Sequence, residues 1–227
     1  MKRSEINEIL REGQAFIESF GFVLPPFAHW REEDWTSRKE TCSEIFRAGL
    51  GWDITDYGLG DYGKTGLFLF TVRNGRQEDL ASGKGMLYAE KIMISKKDQL
   101  APMHYHESKA EDIINRGGGD LAIKLYHSND EGELDRERKV TVFTDGVERR
   151  FSAGDILRLK PGESVTLLPR VYHAFWGEGK DVLVGEVSTV NDDHVDNYFL
   201  NPIGRFPDIE EDESKHRFLV GDYEALQ

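Results

Sequence analysis

The first fifty residues space their apolar side chains as an amphipathic α-helix does. Ser4 suits the N-cap of such a helix, and Gly21 suits its C-terminal end. After the two prolines of FVLPPFAHW, the pattern predicts a second helix over about residues 32–47, and the glycine- and aspartate-rich stretch GWDITDYGLGDYGKTG predicts a loop. The apolar positions that predict the first helix are Ile6, Ile9, Leu10, Phe16, Ile17 and Phe20.

After Gly66 the pattern changes to short apolar runs that are separated by turn residues. Many short strands with glycine turns indicate a sandwich or barrel, and no long helix interrupts them to form a parallel α/β fold. The candidate strands are LFLFTV (67–72), GMLYAEKIMIS (85–95), LAIKLYHS (121–128), KVTVFT (139–144), ERRFS (148–152), DILRLK (155–160), SVTLLP (164–169), HAFW (173–176) and DVLVGEVS (181–188).

These patterns predict a mainly β protein with N-terminal α-helices, organised as one domain. We expect a helical extension over residues 1–65 that packs on the barrel, an antiparallel barrel over residues 66–200, and a polar C-terminal tail over residues 201–227. A chain of 227 residues is long enough to bury a substantial core of this kind.

Composition narrows the range of partners. The formal net charge is −13 and no long basic run is present, so we expect no nucleic-acid binding. No apolar stretch reaches the length that crosses a bilayer, and the first residues contain no apolar signal core. The single cysteine, Cys42, suits a reducing compartment. We therefore expect a cytoplasmic protein that acts neither on nucleic acid nor on membranes.

Two of the seven histidines lie one residue apart in PMHYHESKAEDIINRGGGD (102–120). Because side chains alternate across a strand, His104 and His106 share a face, and Glu111 can return to the same point after a short bend. His173 in PRVYHAFW offers a third imidazole. Three imidazole nitrogens and one carboxylate suit Mn²⁺, Fe²⁺, Zn²⁺, Co²⁺ or Ni²⁺. We therefore predict a metal site formed by His104, His106, Glu111 and His173.

The same residues resemble a known superfamily. The spacing from His104 through His106 and Glu111 to Gly118 is similar to the first motif of the cupins, and Gly154 to His173 resembles the second motif, with PRVYH lacking the usual glycine. This resemblance implies a jelly-roll barrel.

A closer resemblance covers nearly the whole chain. The helical start and the blocks PMHYHESKAEDIINRGGGDL, PGESVTLLPRVYHAFW and GEVSTVNDDHVDNYF resemble the D-lyxose isomerase family of metal-dependent cupins. The resemblance implies a manganese-dependent enzyme that converts D-lyxose to D-xylulose, with D-mannose to D-fructose as a related reaction. It also implies a homodimer.

Aldose–ketose isomerisation moves a proton between C2 and C1, which requires a base. Glu186 is an acid within the otherwise apolar run DVLVGEVS, and we predict it as that base. Lys109, inside the metal motif, is a second catalytic candidate that could stabilise a developing negative oxygen or relay a proton. Asp112 could orient a ligand histidine. Aromatic candidates for the sugar platform are Trp52, Phe175, Trp176 and Phe199.

Three other functions use the same site. A sugar-phosphate isomerase would need cations at the rim, for which Arg158 and Arg170 are the candidates. An Fe²⁺ dioxygenase can use three histidines and one glutamate. A non-catalytic sugar-binding module could keep the metal ligands without a base. We interpret NDDHVDN (191–197) as a solvated loop, and we give His29, His127, His194 and His216 no role in the site.

Overall fold

The computed structural model describes residues 1–192 and 195–226; His194 lies outside the described residues. Antiparallel strands dominate the fold, and a long helix precedes them, which confirms the predicted mainly β cupin-type architecture with N-terminal helices. None of the helices within the described residues is both long enough and apolar enough to cross a membrane.

The helices are short except for the first. They are α1 (Arg3–Ser19), α2 (Glu32–Arg38), α3 (Ser43–Arg47) and α4 (Gln77–Ser82), with 3-10 turns at Pro26–His29 and Val220–Leu226. The strands are β1 (Gly51–Thr55), β2 (Leu67–Arg73), β3 (Tyr88–Ser95), β4 (Ala101–Tyr105), β5 (Glu111–Ser128), β6 (Leu134–Asp135), β7 (Val140–Thr144), β8 (Val147–Phe151), β9 (Ile156–Leu159), β10 (Ser164–Leu167), β11 (Val171–Thr189) and β12 (Tyr198–Phe199).

The strands pair in the order β1-β2-β3-β11-β5-β10-β7-β8, and each of these pairs is antiparallel. Strand β4 joins β11 and β12, while β6 and β9 join β5. Strands β5 and β11 are the longest and form the most extensive pairing, and they lie at the centre of the strand order.

Three local predictions differ from the structure. The loop predicted from residue 51 begins with β1, whose buried Trp52 and Ile54 pair with Phe70 and Phe68 of β2. The predicted second helix is two helices, α2 and α3. The runs HAFW and DVLVGEVS belong to one strand, β11, because residues 179–181 form an irregularity in the β5–β11 pairing instead of a turn.

The glycine triplet 117–119 lies inside β5 and permits a close approach of the β5 and β11 backbones. A Cβ atom at Gly118 would collide with the carbonyl oxygen of Asp181, and one at Gly119 would collide with that of Glu178. Side chains at these positions would therefore force β5 and β11 apart.

The central strands bury both faces. On β3, Met93 belongs to the core inside the barrel, whereas Ile92 and Ile94 pack under α1. On β2, Leu69 faces inward and Phe68 packs against α1, where a Cβ on Gly13 would collide with its ring. Because side chains alternate across a strand, Phe68 points toward α1 when Leu69 points inward. The missing side chain at Gly13 leaves room for the Phe68 ring and lets α1 lie close to the sheet.

The C-terminal segment is anchored along α1. Arg3 is fully buried and contacts Glu211 and Asp222, each at 2.7 Å. Its backbone nitrogen donates to the carbonyl oxygen of Glu210 at 2.8 Å. Because Leu219 is also buried in the core under α1, the predicted polar tail is partly a packing element. The division into extension, barrel and tail stays a prediction.

Candidate functional site

Three histidines from distant parts of the sequence meet at one end of the barrel. His104 lies on β4, His106 follows that strand directly, and His173 lies near the start of β11. The β4–β11 pairing places His104 opposite His173. One ring nitrogen from each of the three residues lies within 4.8 Å of the others, so that the group could hold a metal ion.

Hydrogen bonds to backbone carbonyls fix the tautomer of all three rings. The Nδ1 of His104 lies 2.7 Å from the carbonyl oxygen of Pro102. The Nδ1 of His106 lies 2.9 Å from the carbonyl oxygen of Asp196, and the Nδ1 of His173 lies 3.1 Å from the carbonyl oxygen of Val171. A carbonyl oxygen only accepts hydrogen bonds, so each Nδ1 carries the proton. A neutral ring with its proton on Nδ1 presents the lone pair of its Nε2, which is then the atom that a metal binds.

The surroundings favour these neutral rings. Burial, with the neighbouring His173 and His106, holds the pKa of His104 well below its usual value. Burial, together with the positive charge of Lys109, lowers the pKa of His106 to about 4. Both rings are therefore unprotonated near neutral pH, as metal ligands must be.

Glu111 begins β5 and directs its carboxylate toward the same point. Its Oε1 lies 3.1 Å from the Nε2 of His173, and its Oε2 lies 3.6 Å from the Nε2 of His106. The Oε1 atom is buried and accepts no hydrogen bond from the described residues. A divalent metal bound by this oxygen and by the Nε2 of His173 would place a positive charge next to the buried carboxylate. The donor set therefore fits a divalent metal.

Lys109 lies beside Glu111. Its Nζ is 2.8 Å from Glu111 Oε2, 3.0 Å from Glu186 Oε1 and 3.2 Å from Asn191 Oδ1. Burial opposes ionisation of Glu111, but Lys109, His106 and His173 together outweigh burial and hold the pKa of Glu111 well below its usual value. Of these three residues, the lysine contributes the largest single interaction that keeps the buried carboxylate charged.

Glu186 lies on the inner face of β11, directly opposite Lys91 of β3. Burial raises its pKa, but Lys109 and Lys91 outweigh burial and leave the pKa below the usual value. The Nζ of Lys91 is 3.4 Å from Glu186 Oε1. Glu186 is therefore an ionised, 4% exposed carboxylate next to the histidine cluster.

A cavity opens over the cluster, with an empty volume of about 470 Å³ that includes the space at its mouth. The side chains that line it include four predicted metal ligands, the predicted base and two of the four aromatic candidates. The described lining residues are Tyr57, Leu67, Leu69, Lys91, Met93, His104, His106, Glu111, Ile113, His173, Phe175, Glu186, Asn197, Phe199 and Arg205.

Several candidates lie elsewhere. Lys109 and Trp176 are not among the described lining residues, and Trp52 packs in the core under α1. Asp112 accepts a hydrogen bond from Thr166 at 2.6 Å, whereas all three histidines use carbonyl oxygens as their partners. The histidine-orienting role predicted for Asp112 is therefore wrong.

The two arginines proposed as phosphate ligands are engaged away from the cavity. Arg158 pairs with Glu178 at 2.7 Å, and Arg170 pairs with Glu107 at 3.0 Å. Neither is among the described residues that line the cavity. The cations among the described lining residues are Lys91 and Arg205, and the Nη2 of Arg205 contacts Asp53 at 2.7 Å.

The polar stretch NDDHVDN predicts a solvated loop, and this prediction is wrong for Asp196. This residue is 4% exposed, and its carboxylate accepts hydrogen bonds from the backbone nitrogens of Glu107, Ser108 and Lys109 at 2.9–3.0 Å. Its own carbonyl oxygen holds the ring of His106. Asp196 thus fixes the loop between two predicted metal ligands.

Lys91 was also missed. The signal that identified Glu186, a charged residue within an apolar run, is equally present in YAEKIMIS around Lys91. Arg205 and Tyr57 carry no comparable local signal, because only the folded chain brings them to the cavity.

Comparison with known proteins identifies the family of this chain. The family model described as D-lyxose isomerase matches residues 1–223. The chain belongs to the D-lyxose isomerase family. It is 48% identical over 226 residues to the D-lyxose/D-mannose isomerase of Serratia proteamaculans, covering 98% of both chains. It is 45% identical over 234 residues to the enzyme of the same name from Escherichia coli O157:H7, covering 100% of both.

A solved structure extends the likeness of the fold. The ligand-free L-ribose isomerase of Cellulomonas parahominis superposes with a TM-score of 0.61 at 16% identity, covering 92% of this chain and 98% of that one. At 16% identity, this similarity supports the fold of the chain and carries no information about its function.

Proposed function

We propose that this protein is an aldose–ketose isomerase that interconverts D-lyxose and D-xylulose, and also D-mannose and D-fructose. The observation that carries the proposal is the convergence of three histidine Nε2 atoms and the Glu111 carboxylate beside the ionised Glu186 in one cavity. Family membership and two relatives named D-lyxose/D-mannose isomerase support the choice of substrates.

His104, His106, Glu111 and His173 would hold a divalent metal, and we propose Mn²⁺. Three imidazole nitrogens and one carboxylate oxygen, with no sulfur, suit this ion as well as Co²⁺, Fe²⁺ or Zn²⁺. When bound, the metal supplies a Lewis acid that polarises a carbonyl group and stabilises the charge of an enediolate.

Glu186 is the proposed base. It lines the cavity and is ionised, so it can take the proton from C2 of the aldose and deliver it to C1. Lys109, the other predicted catalytic group, contacts Glu186 and Glu111 together. We propose that Lys109 keeps both carboxylates charged and influences the reaction through them.

The test combines metal analysis with proton exchange. The protein is stripped with a chelator, reconstituted separately with Mn²⁺, Co²⁺, Fe²⁺ and Zn²⁺, and assayed with free and phosphorylated aldoses in deuterated water. We expect Mn²⁺ to restore the highest activity, with deuterium appearing at C1 or C2 of the free sugars. Oxygen consumption would instead indicate a dioxygenase, and sugar binding without exchange would indicate a binding module.

A cytoplasmic location and a homodimer complete the proposal. The buried free thiol of Cys42 suits a reducing compartment. The homodimer rests on the family resemblance, with the exposed strand edges of the barrel as the contact surface. Light scattering on the purified protein measures the mass directly, and a mass of about 26 kDa would correspond to a monomer.

A further inference from the structure

We infer that Lys91 is a catalytic residue, the cation that contacts the reacting oxygens of the sugar. Lys109 is then a positioning residue that acts through the two carboxylates. This inference rests on the proposed isomerase function and deepens it, because it identifies the charge that meets the substrate.

The two buried lysines differ in what surrounds them. The Nζ of Lys109 has Glu111, Glu186 and Asn191 within 2.8–3.2 Å, which is one acceptor for each of its three N–H groups. Lys109 is also absent from the described residues that line the cavity. Its position between the carboxylates therefore makes it a structural counter-ion.

Lys91 reaches the cavity from β3, the strand that pairs with the one carrying Glu186. It lies in the middle of β3, in register with Thr71 of β2 and Glu186 of β11, and it is 4% exposed. Its Nζ donates to Asn191 Oδ1 at 2.8 Å and lies 3.4 Å from Glu186 Oε1, and its side chain lines the cavity. A sugar that fills the cavity with its C2–H at Glu186 therefore meets this ammonium group.

Asn191 sets the position of both lysines. Its side-chain oxygen accepts from Lys91 and from Lys109. Its backbone is fixed by Asn74, which accepts from the Asn191 nitrogen at 3.0 Å and donates to the Asn191 carbonyl oxygen at 2.8 Å. One anchored amide thus holds Lys109 on the carboxylates and Lys91 beside the cavity.

The chemistry gives Lys91 a specific task. When the C2–H bond breaks, the proton goes to Glu186, the electron pair forms the C1=C2 bond, and negative charge moves to the former carbonyl oxygen. In the second half, the O2–H proton transfers to O1, the Glu186 proton goes to C1, and C2 becomes the carbonyl carbon. Negative charge therefore leaves Glu186 for a sugar oxygen and returns. An ammonium fixed beside both places stabilises the intermediate charge without rearranging.

The experiment compares three variants of the Mn²⁺-loaded protein. Lys91→Met removes the charge and keeps the length of the chain, Lys91→Gln is a second variant in case the first does not fold, and Lys124→Met is the matched control. Lys124 is a half-buried lysine of β5 that lies over the ring of Tyr126 and is not among the described lining residues. Metal content, thermal midpoint, kcat and KM for D-lyxose are measured for each variant.

We expect both Lys91 variants to retain metal and to lose about 10²–10³-fold in kcat, with KM changing much less, because the lost contact strengthens only as charge develops. Lys124→Met should match the wild type in all four measurements. A Lys91 variant with kcat within about threefold of the wild type overturns the inference, and so does a loss of kcat that follows only from loss of metal. A wild-type protein that isomerises no free aldose overturns the proposed function itself.

Discussion

The two faces of the central strands are equally buried but have opposite chemistry. On β3, Ile92 and Ile94 pack under α1, whereas Lys91 on the alternate face lines the cavity. On β11, Leu183 belongs to the core under α1, and Glu186 belongs to the site. The strands therefore carry a stabilising surface and a reactive surface separated only by the thickness of the sheet.

This difference separates the residues that stabilise the fold from the residues that form the site. Burial of apolar side chains under α1 contributes stability in proportion to the area removed from water. Burial of charges inside the barrel is costly unless each charge has a partner, and here the partners are other functional groups. Substitutions on the face under α1 should consequently change the free energy of unfolding, whereas substitutions on the face toward the cavity should change metal content or kcat.

The largest effect should come from the metal cluster. His104→Ala removes one of three imidazoles and should abolish retention of the metal and, with it, the isomerase activity. Metal content by elemental analysis and turnover of D-lyxose are the measurements. His29→Ala, at an exposed position, is the control and should leave both unchanged. An active variant that still contains a full complement of metal would remove His104 from the site.

The second effect concerns the base. Glu186→Gln keeps the shape of the side chain but cannot accept the proton, so kcat should fall by roughly 10²–10⁴ while the metal stays bound. Exchange of the C2 proton with deuterated solvent should fall in parallel. Glu90→Gln, on the neighbouring strand and paired with Arg73, is the control. Normal turnover in the Glu186 variant would assign proton transfer to another group.

The third effect belongs to the face under α1. Phe68→Ala empties the space between Gly13 and the core and should lower the free energy of unfolding by about 3–5 kcal/mol. Chemical denaturation measures this loss. At temperatures where the variant is folded, kcat should match the wild type. Phe143→Ala, at a 42% exposed position, should cost much less. A Phe68 variant that is stable but slow would show that the two faces are coupled.

The smallest effect concerns the ion pair at the end of α1. The Arg3 guanidinium donates to both oxygens of Glu211 and, with Lys215, lowers the pKa of Glu211 from 4.5 to about 2. Because the pKa is lowered on folding, the stabilisation is present above the unfolded value and disappears as the pH falls toward 2. The carboxylate is 47% exposed, so the contribution should be below about 1 kcal/mol.

Thermal unfolding from neutral pH down to about 2 tests this contribution. The difference in midpoint between the wild type and Glu211→Gln should be largest near neutral pH and should narrow as the wild-type carboxylate is protonated. Glu8→Gln is an exposed substitution on α1, the helix that carries Arg3. Its difference in midpoint from the wild type should hardly change with pH. A constant difference for Glu211→Gln would contradict the assigned ion pair.

Local spacing in the sequence was sufficient for part of the site. Alternation along a strand places His104 and His106 on one face, and Glu111 follows them closely enough to return to the same point. The position of His173 depends on the β4–β11 pairing, which no local pattern specifies. The prediction of His173 as a ligand rests on the second motif, Gly154 to His173, and on the family resemblance.

Other features depended on tertiary structure. The polar composition of NDDHVDN predicted exposure, but Asp196 is buried because three backbone N–H groups across the fold satisfy its carboxylate. The residues 177–181 contain turn-forming glycines, yet the partner strand β5 continues past them and keeps β11 in one piece. In both cases a partner distant in sequence determines the local structure.

The position of Arg205 in the cavity wall has a consequence for partly made or partly degraded chains. The three histidines and Glu111 all precede this residue, and the segment that follows it is attached to α1 through Glu211 and Asp222. A protein cut just before residue 205 would keep every predicted metal ligand while losing one wall of the sugar pocket. Such a fragment should bind the ion yet discriminate poorly among sugars, so metal content alone is a poor assay of an intact enzyme.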